Sequence, residues 1–380
     1  MIKILGCADL HLGKKISGAG TKAANFREQL FLTSEKIITE LAPENNADII
    51  VICGDLFDRP EASWNLIERT ATMLSKSKIP IHIISGNHDA LEGSKNTALW
   101  NLKTQLGPNS VVHIHTERAE YKIDDLNCTI YPGVLNSRFD NSDQTAWIPK
   151  RKKKDGVRIG LFHGSIANIG GDEPRMKNID SSVALNQDLD IALLGDWHGP
   201  RSEISKSMIN QPDKRLWYTG APEAQIRSQN WTGRILICEV EPQKEPIVSE
   251  YKIGKNKFRD IDVYFQEESP DSGFSDIDQV FADILKDDNN ELTAWRIIAT
   301  GWITKNNHDD LISKVEELKN QFSNLVFKDK IVIVSEKIID SSGIIDQISN
   351  KIVNSEEQQE VQQKALRLLS KYFKQVGGMN

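Results

Sequence analysis

Cysteine is scarce in this 380-residue chain. There are four, Cys7, Cys53, Cys128 and Cys238, far apart and with no C-x-x-C pair. That excludes a disulfide framework and a thiolate zinc site, and three of the four sit in apolar runs, so buried reduced thiols are expected. Long apolar runs are absent too. None approaches the ~20 residues that a membrane-spanning helix needs. No secretory leader fits, since the first apolar segment, IKILGCAD, meets Asp9 at once without a basic flank or a small-residue cleavage site. A cytoplasmic protein with no membrane partner is the expectation. Nor is there an excess of positive charge. The net charge of −7 argues against a generic polyanion binder. The deficit is local: residues 1–240 carry 29 Lys+Arg against 29 Asp+Glu, whereas 241–380 carry 18 against 25. A nucleic acid would have to approach the first part. No G-x-x-x-x-G-K-[ST] loop occurs, so energy coupling would need a partner. Solenoid repeats and low-complexity segments are missing as well.

What is present is an ordinary globular balance, 39% hydrophobic and 27% charged, in a length that suggests two or three domains. Residues 1–240 repeat one pattern, an apolar run followed by a polar turn. IKILGCA leads to Asp9-Leu-His11. DIIVIC leads to Gly54-Asp55-Leu-Phe-Asp58. IPIHIIS leads to Gly86-Asn87-His88-Asp89. VRIGLF leads to His163-Gly, and LDIALL leads to Gly195-Asp196-Trp-His198. Short Ile/Val/Leu runs bounded by glycine read as strands buried on both faces. Helical patterns lie between them. Asn25 and Glu28 read as a capping box opening a helix with Phe26, Leu30, Ile37 and Leu41 on one face. Residues 61–77 read as a second helix. The polar stretch 136–156 carries near its end five consecutive basic residues, 150–154, which form either a solvated loop or a contact to a phosphate backbone.

After Glu241 comes a strand and linker, then a β-α-β-α-β unit: RDIDVYF, the helix SDIDQVFADIL, LTAWRIIATGWI, the helix HDDLISKVEELKNQF and LVFKDKIVIVSEKI. It lacks the ligand pattern at strand ends. A final capping box, Ser355 to Gln358, opens a helix with a broad apolar stripe that includes Val361, Leu366 and Leu369. Either it packs on its own chain or it fills a groove of a partner.

In α/β sheets ligands gather at the carboxyl ends of strands, so the five turns should converge. Asp9, His11, Asp55, Asn87, His163, Asp196 and His198 then form one set. Oxygen and imidazole donors without cysteine suit Mn²⁺, Fe²⁺ or Zn²⁺. Seven donors exceed one ion's needs and suit two ions about 3.5–4 Å apart, the arrangement used for in-line displacement at phosphorus. Asp55 is the candidate bridge and His88 the candidate acid for the leaving oxygen. Elsewhere, His82 reads as mid-strand packing, His113 and His115 as an alternating surface strand, and His308 as a helix start.

These motifs resemble those of the calcineurin-like metallophosphoesterases. ADLHLG, NFREQL, ADIIVICGDLFDRP, ISGNHD, LFHG and YTGAPE are similar to the DNA-repair exonuclease branch of that family, which contains the SbcD nuclease. The resemblance is strong over 1–240 and weaker in the second α/β unit. It implies a layered metallophosphoesterase β-sandwich flanked by helices over 1–254, a smaller α/β capping domain over 255–340, and a C-terminal helical segment over 341–380 that docks an ATPase. It implies one metal held by Asp9, His11, Asp55 and His198, and a second by Asp55, Asn87, His163 and residue 196. The metal would be Mn²⁺, with Mg²⁺ or another divalent ion as alternatives, and His88 and Asp58 would be the catalytic side chains. The implied activity is 3′-to-5′ exonuclease and endonuclease cleavage of DNA. The implied partners are a coiled-coil ABC-type ATPase of the SbcC kind and a second copy of the chain. Asp196 departs from the pattern, because the family usually places histidine there. A calcineurin-like phosphatase or small-molecule phosphodiesterase, and a DNA-binding adaptor with impaired catalysis, are the alternative readings.

Overall fold

The computed structural model describes residues 1–17, 23–166, 178–180, 182–198, 214–227, 233–266, 290–321 and 325–334, together with isolated positions between 282 and 368. It divides into two compact units. The first holds Met1–Ile16 and Ala24–Asn256, and the second Ser17–Ala23 and Lys257–Asn380.

The first unit is built on strands β1 (Ile2–Cys7), β2 (Ile49–Cys53), β3 (Ile81–Ile84), β4 (Val112–Ile114), β5 (Tyr121–Ile123), β6 (Cys128–Pro132), β7 (Val157–His163), β8 (Ser165–Ile166), β9 (Asn178–Ile179), β10 (Ile191–Gly195), β11 (Leu216–Tyr218), β12 (Arg234–Val240) and β13 (Ile247–Lys252). Six form one sheet in the order β13-β12-β1-β2-β3-β4, and five form another in the order β11-β10-β7-β6-β5. Both sheets are mixed. β1 to β4 run parallel, while β12 is antiparallel to β1 and to β13. β6, β7, β10 and β11 run parallel, while β5 is antiparallel to β6. The parallel strands are uninterrupted apolar runs because both faces are covered: every residue of β2, β3, β7 and β10 is buried. Ile4, Val51 and Ile84 of the first sheet and Ile159, Leu161 and Leu193 of the second share one core. The parallel stacking brings the carboxyl ends of β1, β2, β3, β7 and β10 to one edge of this sandwich.

Three longer helices belong to this unit: α1 (Ala23–Lys36), α2 (Trp64–Leu74) and α3 (Ala98–Leu106). A short one, α4 (Val183–Asn186), precedes β10. Helix α1 starts two residues before the expected cap, so Asn25 lies in its first turn; Ala23 and Ala24 are strong helix formers and extend it. Its continuation, Ile37–Leu41, is a π-turn rather than the same α-helix. Ser63 caps α2, its Oγ accepting from the Leu66 amide at 3.3 Å. All four cysteines are free and buried.

The expected surface strand at His113 and His115 is corrected. His115 is buried, hydrogen-bonded to His82 at 3.1 Å, with Tyr121 edge-on to it. The alternation is right, but the chain just past β4 is covered. In the basic run, Arg151 forms an ion pair with buried Asp190 and Lys150 donates to the Asn186 carbonyl, so two of the five charges serve the fold.

The second unit carries β14 (Lys257–Gln266), β15 (Thr293–Thr304), α5 (Lys305–Gln321), β16 (Leu325–Asp329) and β17 (Val332–Val334). β14 and β16 flank β15, all parallel. The expected last strand is split in two. β16 and β17 pair with β15 in one register, interrupted at Lys330, whose N–H bonds the Ala299 carbonyl. Leu311, Val315 and Leu318 of α5 pack on Ile297 and Ala299. His308 lies in the first turns of α5, 2.8 Å from Asp329. All of the helix expected at 275–285 except Ala282, and most of the helix expected from 355, lie outside the described residues. Of the latter, Leu366 is buried with Trp302 and Val332.

Candidate metal centre

Each candidate ligand sits at the end of a strand or in the turn that follows it, and three of these turns hold four residues with left-handed backbone. Asp9, His11, Asp55 and Asp196 have φ of 55°, 45°, 54° and 87°. Left-handed backbone is uncommon outside glycine, and its occurrence at four points of one edge marks a functional site. Two glycines allow the close approach. A Cβ on Gly54, at φ 88°, would stand 2.3 Å from His163 Nδ1, and one on Gly86 would stand 2.1 Å from Asp55 Oδ1.

The side chains converge as the strand ends do. Asp55 Oδ2 lies 3.6 Å from His11 Nε2 and 3.5 Å from His163 Nε2, between the two imidazoles. His11 Nε2 lies 3.4 Å from His198 Nε2, which is 4.0 Å from Asp9 Oδ1. His163 Nε2 is 2.9 Å from Asn87 Oδ1 and 4.0 Å from Asp196 Oδ1. Three compact donor groups result: Asp9, His11 and His198; Asp9, Asp55 and His163; and His11, Asp58 and His88. Every residue singled out from the sequence thus lies in one cluster, with Asp196 at its margin. Its Oδ2 accepts from Ser165 Oγ at 2.7 Å and its own N–H reaches Asp9 Oδ1 at 3.2 Å.

The cluster fits divalent cations. Asp9 Oδ2 and His11 Nδ1 are buried without a hydrogen-bond partner, although such atoms are normally satisfied. His163 Nδ1 sits 2.8 Å from the Cys53 carbonyl, which takes its proton and leaves the Nε2 lone pair directed at the carboxylates. The carboxyls themselves are short of positive charge. Burial pushes Asp9 up to about 7, with His163 opposing and Asp196 reinforcing the rise. Burial, then the charge of Asp9, pushes Asp55 up to about 8. Burial and the neighbouring His198 hold His11 well below the usual imidazole range, so it stays neutral and able to donate a lone pair. Buried carboxylates beside the neutral imidazole of His11 are donors that cations complete.

Other residues hold this set in place, and the sequence motifs did not mark them as functional. Asp89 is fully buried and accepts from the Gly86 and Phe57 amides at 2.7 and 3.1 Å, joining the turns after β2 and β3. Gln225 donates from Nε2 to the Asp9 carbonyl at 2.6 Å. Gln144 brackets His163, donating to its carbonyl at 2.9 Å and accepting from its amide at 3.2 Å. Glu223 of the YTGAPE stretch touches no candidate ligand; it accepts from Thr33 Oγ1 at 2.5 Å and from the Asn256 amide at 2.8 Å, tying α1 to the chain after β13. Such outer contacts come from positions distant in sequence, and only Asp89 and Glu223 lie inside a recognisable motif.

His88 and Asp58 stand at the mouth. His88 N–H donates to Asp55 Oδ1 at 2.8 Å, and its Nδ1 lies 3.0 Å from the Asp58 carbonyl. Asp58 Oδ1 lies 3.6 Å from both His11 Nδ1 and Lys14 Nζ. His88 is part-exposed, with Nε2 its free ring nitrogen.

A convergent aspartate and histidine cluster at the carboxyl ends of two stacked sheets defines a metallophosphoesterase, and the sequence comparison agrees. Residues 2–200 match the calcineurin-like phosphoesterase family over more than half of the chain, and the chain belongs to that family. Its activity class is therefore metal-dependent phosphoester hydrolysis, with divalent ions at the Asp/His cluster. Among curated relatives, the DNA double-strand break repair protein Mre11 of Archaeoglobus fulgidus is 35% identical over 109 residues, 28% of this chain. The chain spans only 23% of that relative's length. Among solved structures, the calcineurin-like phosphoesterase YfkN from Bacillus subtilis matches 66% of this chain and 90% of its own, with a TM-score of 0.38 and 12% identity. Among the described residues, no helix is long and apolar enough to cross a membrane.

Proposed function

We propose that this phosphoesterase is a DNA nuclease of the SbcD type, an exonuclease and endonuclease that cleaves phosphodiester bonds in repair or processing. The observation that carries the nuclease reading is the 35% identity to Mre11, which by its name acts in double-strand break repair. The clustered ligands support the chemistry. Bound divalent ions supply Lewis acidity at phosphorus and an attacking group usable at neutral pH. Asp55 lies between the two donor sets and joins them. Asp9, His11 and His198 form one set, and Asn87, His163 and Asp196 the other. His88 donates its Nδ1–H in a hydrogen bond to the Asp58 carbonyl and presents Nε2 to the substrate; with both ring nitrogens protonated, the ring hands its Nε2 proton to the leaving oxygen and is left neutral. Mn²⁺ is the proposed physiological metal.

The proposed partners are DNA, a second copy of the chain and a coiled-coil ABC-type ATPase of the SbcC kind. Self-association through the catalytic-unit helices is supported by exposed Leu32 on α1 and Trp64 on α2. Docking of the ATPase falls to the C-terminal segment, and deletion of residues 355–380 should abolish it while sparing cleavage. Comparing Mn²⁺-dependent turnover of duplex DNA with that of p-nitrophenyl phosphate tests the central reading. Efficient hydrolysis of the small ester with none of DNA would make the chain a small-molecule phosphodiesterase or phosphatase. Cleavage of neither, with DNA still bound, would make it an adaptor.

A further inference from the structure

The donors on the two sides of Asp55 are unequal. Beside His11 stand His198, Asp9 and Asp55, which with His11 make two imidazole nitrogens and two carboxylates. Beside His163 stand Asn87, Asp55 and Asp196, which with His163 make three oxygen groups and one nitrogen, and the Asp9 carboxylate also lies within reach of this set. Asp196 completes the second set only if its carboxylate faces inward, and two contacts turn it that way. Ser165, itself buried, donates its hydroxyl to Oδ2 at 2.7 Å. The remaining oxygen, Oδ1, is left on the side of His163 Nε2 at 4.0 Å. The strained backbone at φ 87° and the bond from Asp196 N–H to Asp9 Oδ1 fix the turn that carries it.

Ligand type selects metals. Imidazole favours Zn²⁺ and other late transition ions, whereas carboxylate, amide carbonyl and water favour Mg²⁺ and Mn²⁺. We propose that the two metal positions differ in hardness, and that Asp196, steered by Ser165, makes the position beside His163 select Mg²⁺ or Mn²⁺ over Zn²⁺. The position beside His11 and His198 keeps the affinity for softer ions that its two imidazoles give it. Offered a hard and a soft ion together, the chain then holds an unlike pair, while Mn²⁺, which both carboxylate and imidazole accept, can fill both positions. This rests on reading the cluster as a dinuclear metal centre, and it does not depend on the substrate.

The test is metal retention by the full chain. Protein stripped with chelator is dialysed against buffer holding both Mg²⁺ and Zn²⁺, and bound metal is counted by elemental analysis. One Zn²⁺ and one Mg²⁺ per chain are expected for the natural sequence. Asp196→His should convert this to two Zn²⁺, with Mg²⁺ retention down at least tenfold. Ser165→Ala should weaken Mg²⁺ retention several-fold and leave the first Zn²⁺ in place. Circular dichroism checks that each variant folds. If Asp196→His does not fold, Ser165→Ala and the natural chain still decide the matter. Two Zn²⁺ and no Mg²⁺ in the natural chain overturns the proposal, as does an unchanged metal ratio in the variants. No bound cation at all overturns the metal-centre reading itself, and this proposal with it.

Discussion

His163 Nδ1 lies 2.8 Å from the carbonyl oxygen of Cys53, a bond between the last residue of β7 and the last residue of β2. The two strands belong to different sheets, so this contact pins the sandwich together where the ligands emerge. It also fixes which ring nitrogen faces the cluster.

Gly54 follows Cys53, and the space beside His163 depends on its missing side chain. Gly54→Ala would place a Cβ 2.3 Å from Nδ1. We expect divalent-cation affinity to fall about 10–100-fold, the usual result of disturbing a ligand's outer contacts. The left-handed backbone should add about 1–2 kcal/mol of destabilisation. Titration calorimetry and urea unfolding measure the two effects. Unchanged affinity would show that His163 is not held by this contact.

The cluster should make metal stabilisation depend on pH. Asp9 and Asp55 are raised from 3.8 to about 7 and about 8. Without a cation, the folded chain keeps protons that the unfolded chain releases, so stability falls as pH rises from about 4 to about 8. His11 is lowered, so the folded chain refuses a proton that the unfolded chain accepts, and stability falls as pH drops below about 6.5. Cations replace protons on the carboxylates and require neutral His11, so both groups make metal binding stronger at high pH. The rise in melting temperature on adding Mn²⁺ should be larger at pH 8 than at pH 5.5. An equal or reversed difference would exclude these residues as ligands.

Gln225 holds the strained Asp9 turn through its 2.6 Å bond to the Asp9 carbonyl. Gln225→Leu keeps the size and removes the donor. It should cost about 1–3 kcal/mol, the penalty for a buried acceptor left unpaired. Metal affinity should fall with it, since Asp9 is then free to relax. A variant with lowered stability and unaltered metal affinity would limit Gln225 to folding.

His88 is assigned to the proton step and not to metal binding. His88→Ala should therefore retain the metal content of the natural chain while turnover falls about 10²–10⁴-fold, the range for a lost general acid. Elemental analysis beside a turnover assay separates the two. A fall in metal content would make His88 a ligand instead.

The strands and their ligand-bearing ends were legible because parallel strands buried on both faces become continuous apolar runs, and the turns that follow carry unusual polar residues. Asn87-His88-Asp89 shows this well. The same reading misplaced His115, since alternation tells which face a residue takes and not whether that face is covered. It also missed Gln144, Gln225 and Ser165. Their partners are 19, 216 and 31 residues away in sequence.

The sequence by itself determined the chemistry available: seven carboxylate, amide and imidazole donors, no thiolate among them, each placed just past an apolar run. Local rules suffice for that, since burial and turn formation act on neighbouring residues. Only the tertiary structure decided how the donors are shared out. Asp55 stands between His11 and His163 because the stacking of two sheets brings β2 beside β7. Asp196 is steered by Ser165 because β10 pairs with β7 and places Gly195 opposite His163. Distances of this kind arise from register and packing, which no run of adjacent residues encodes.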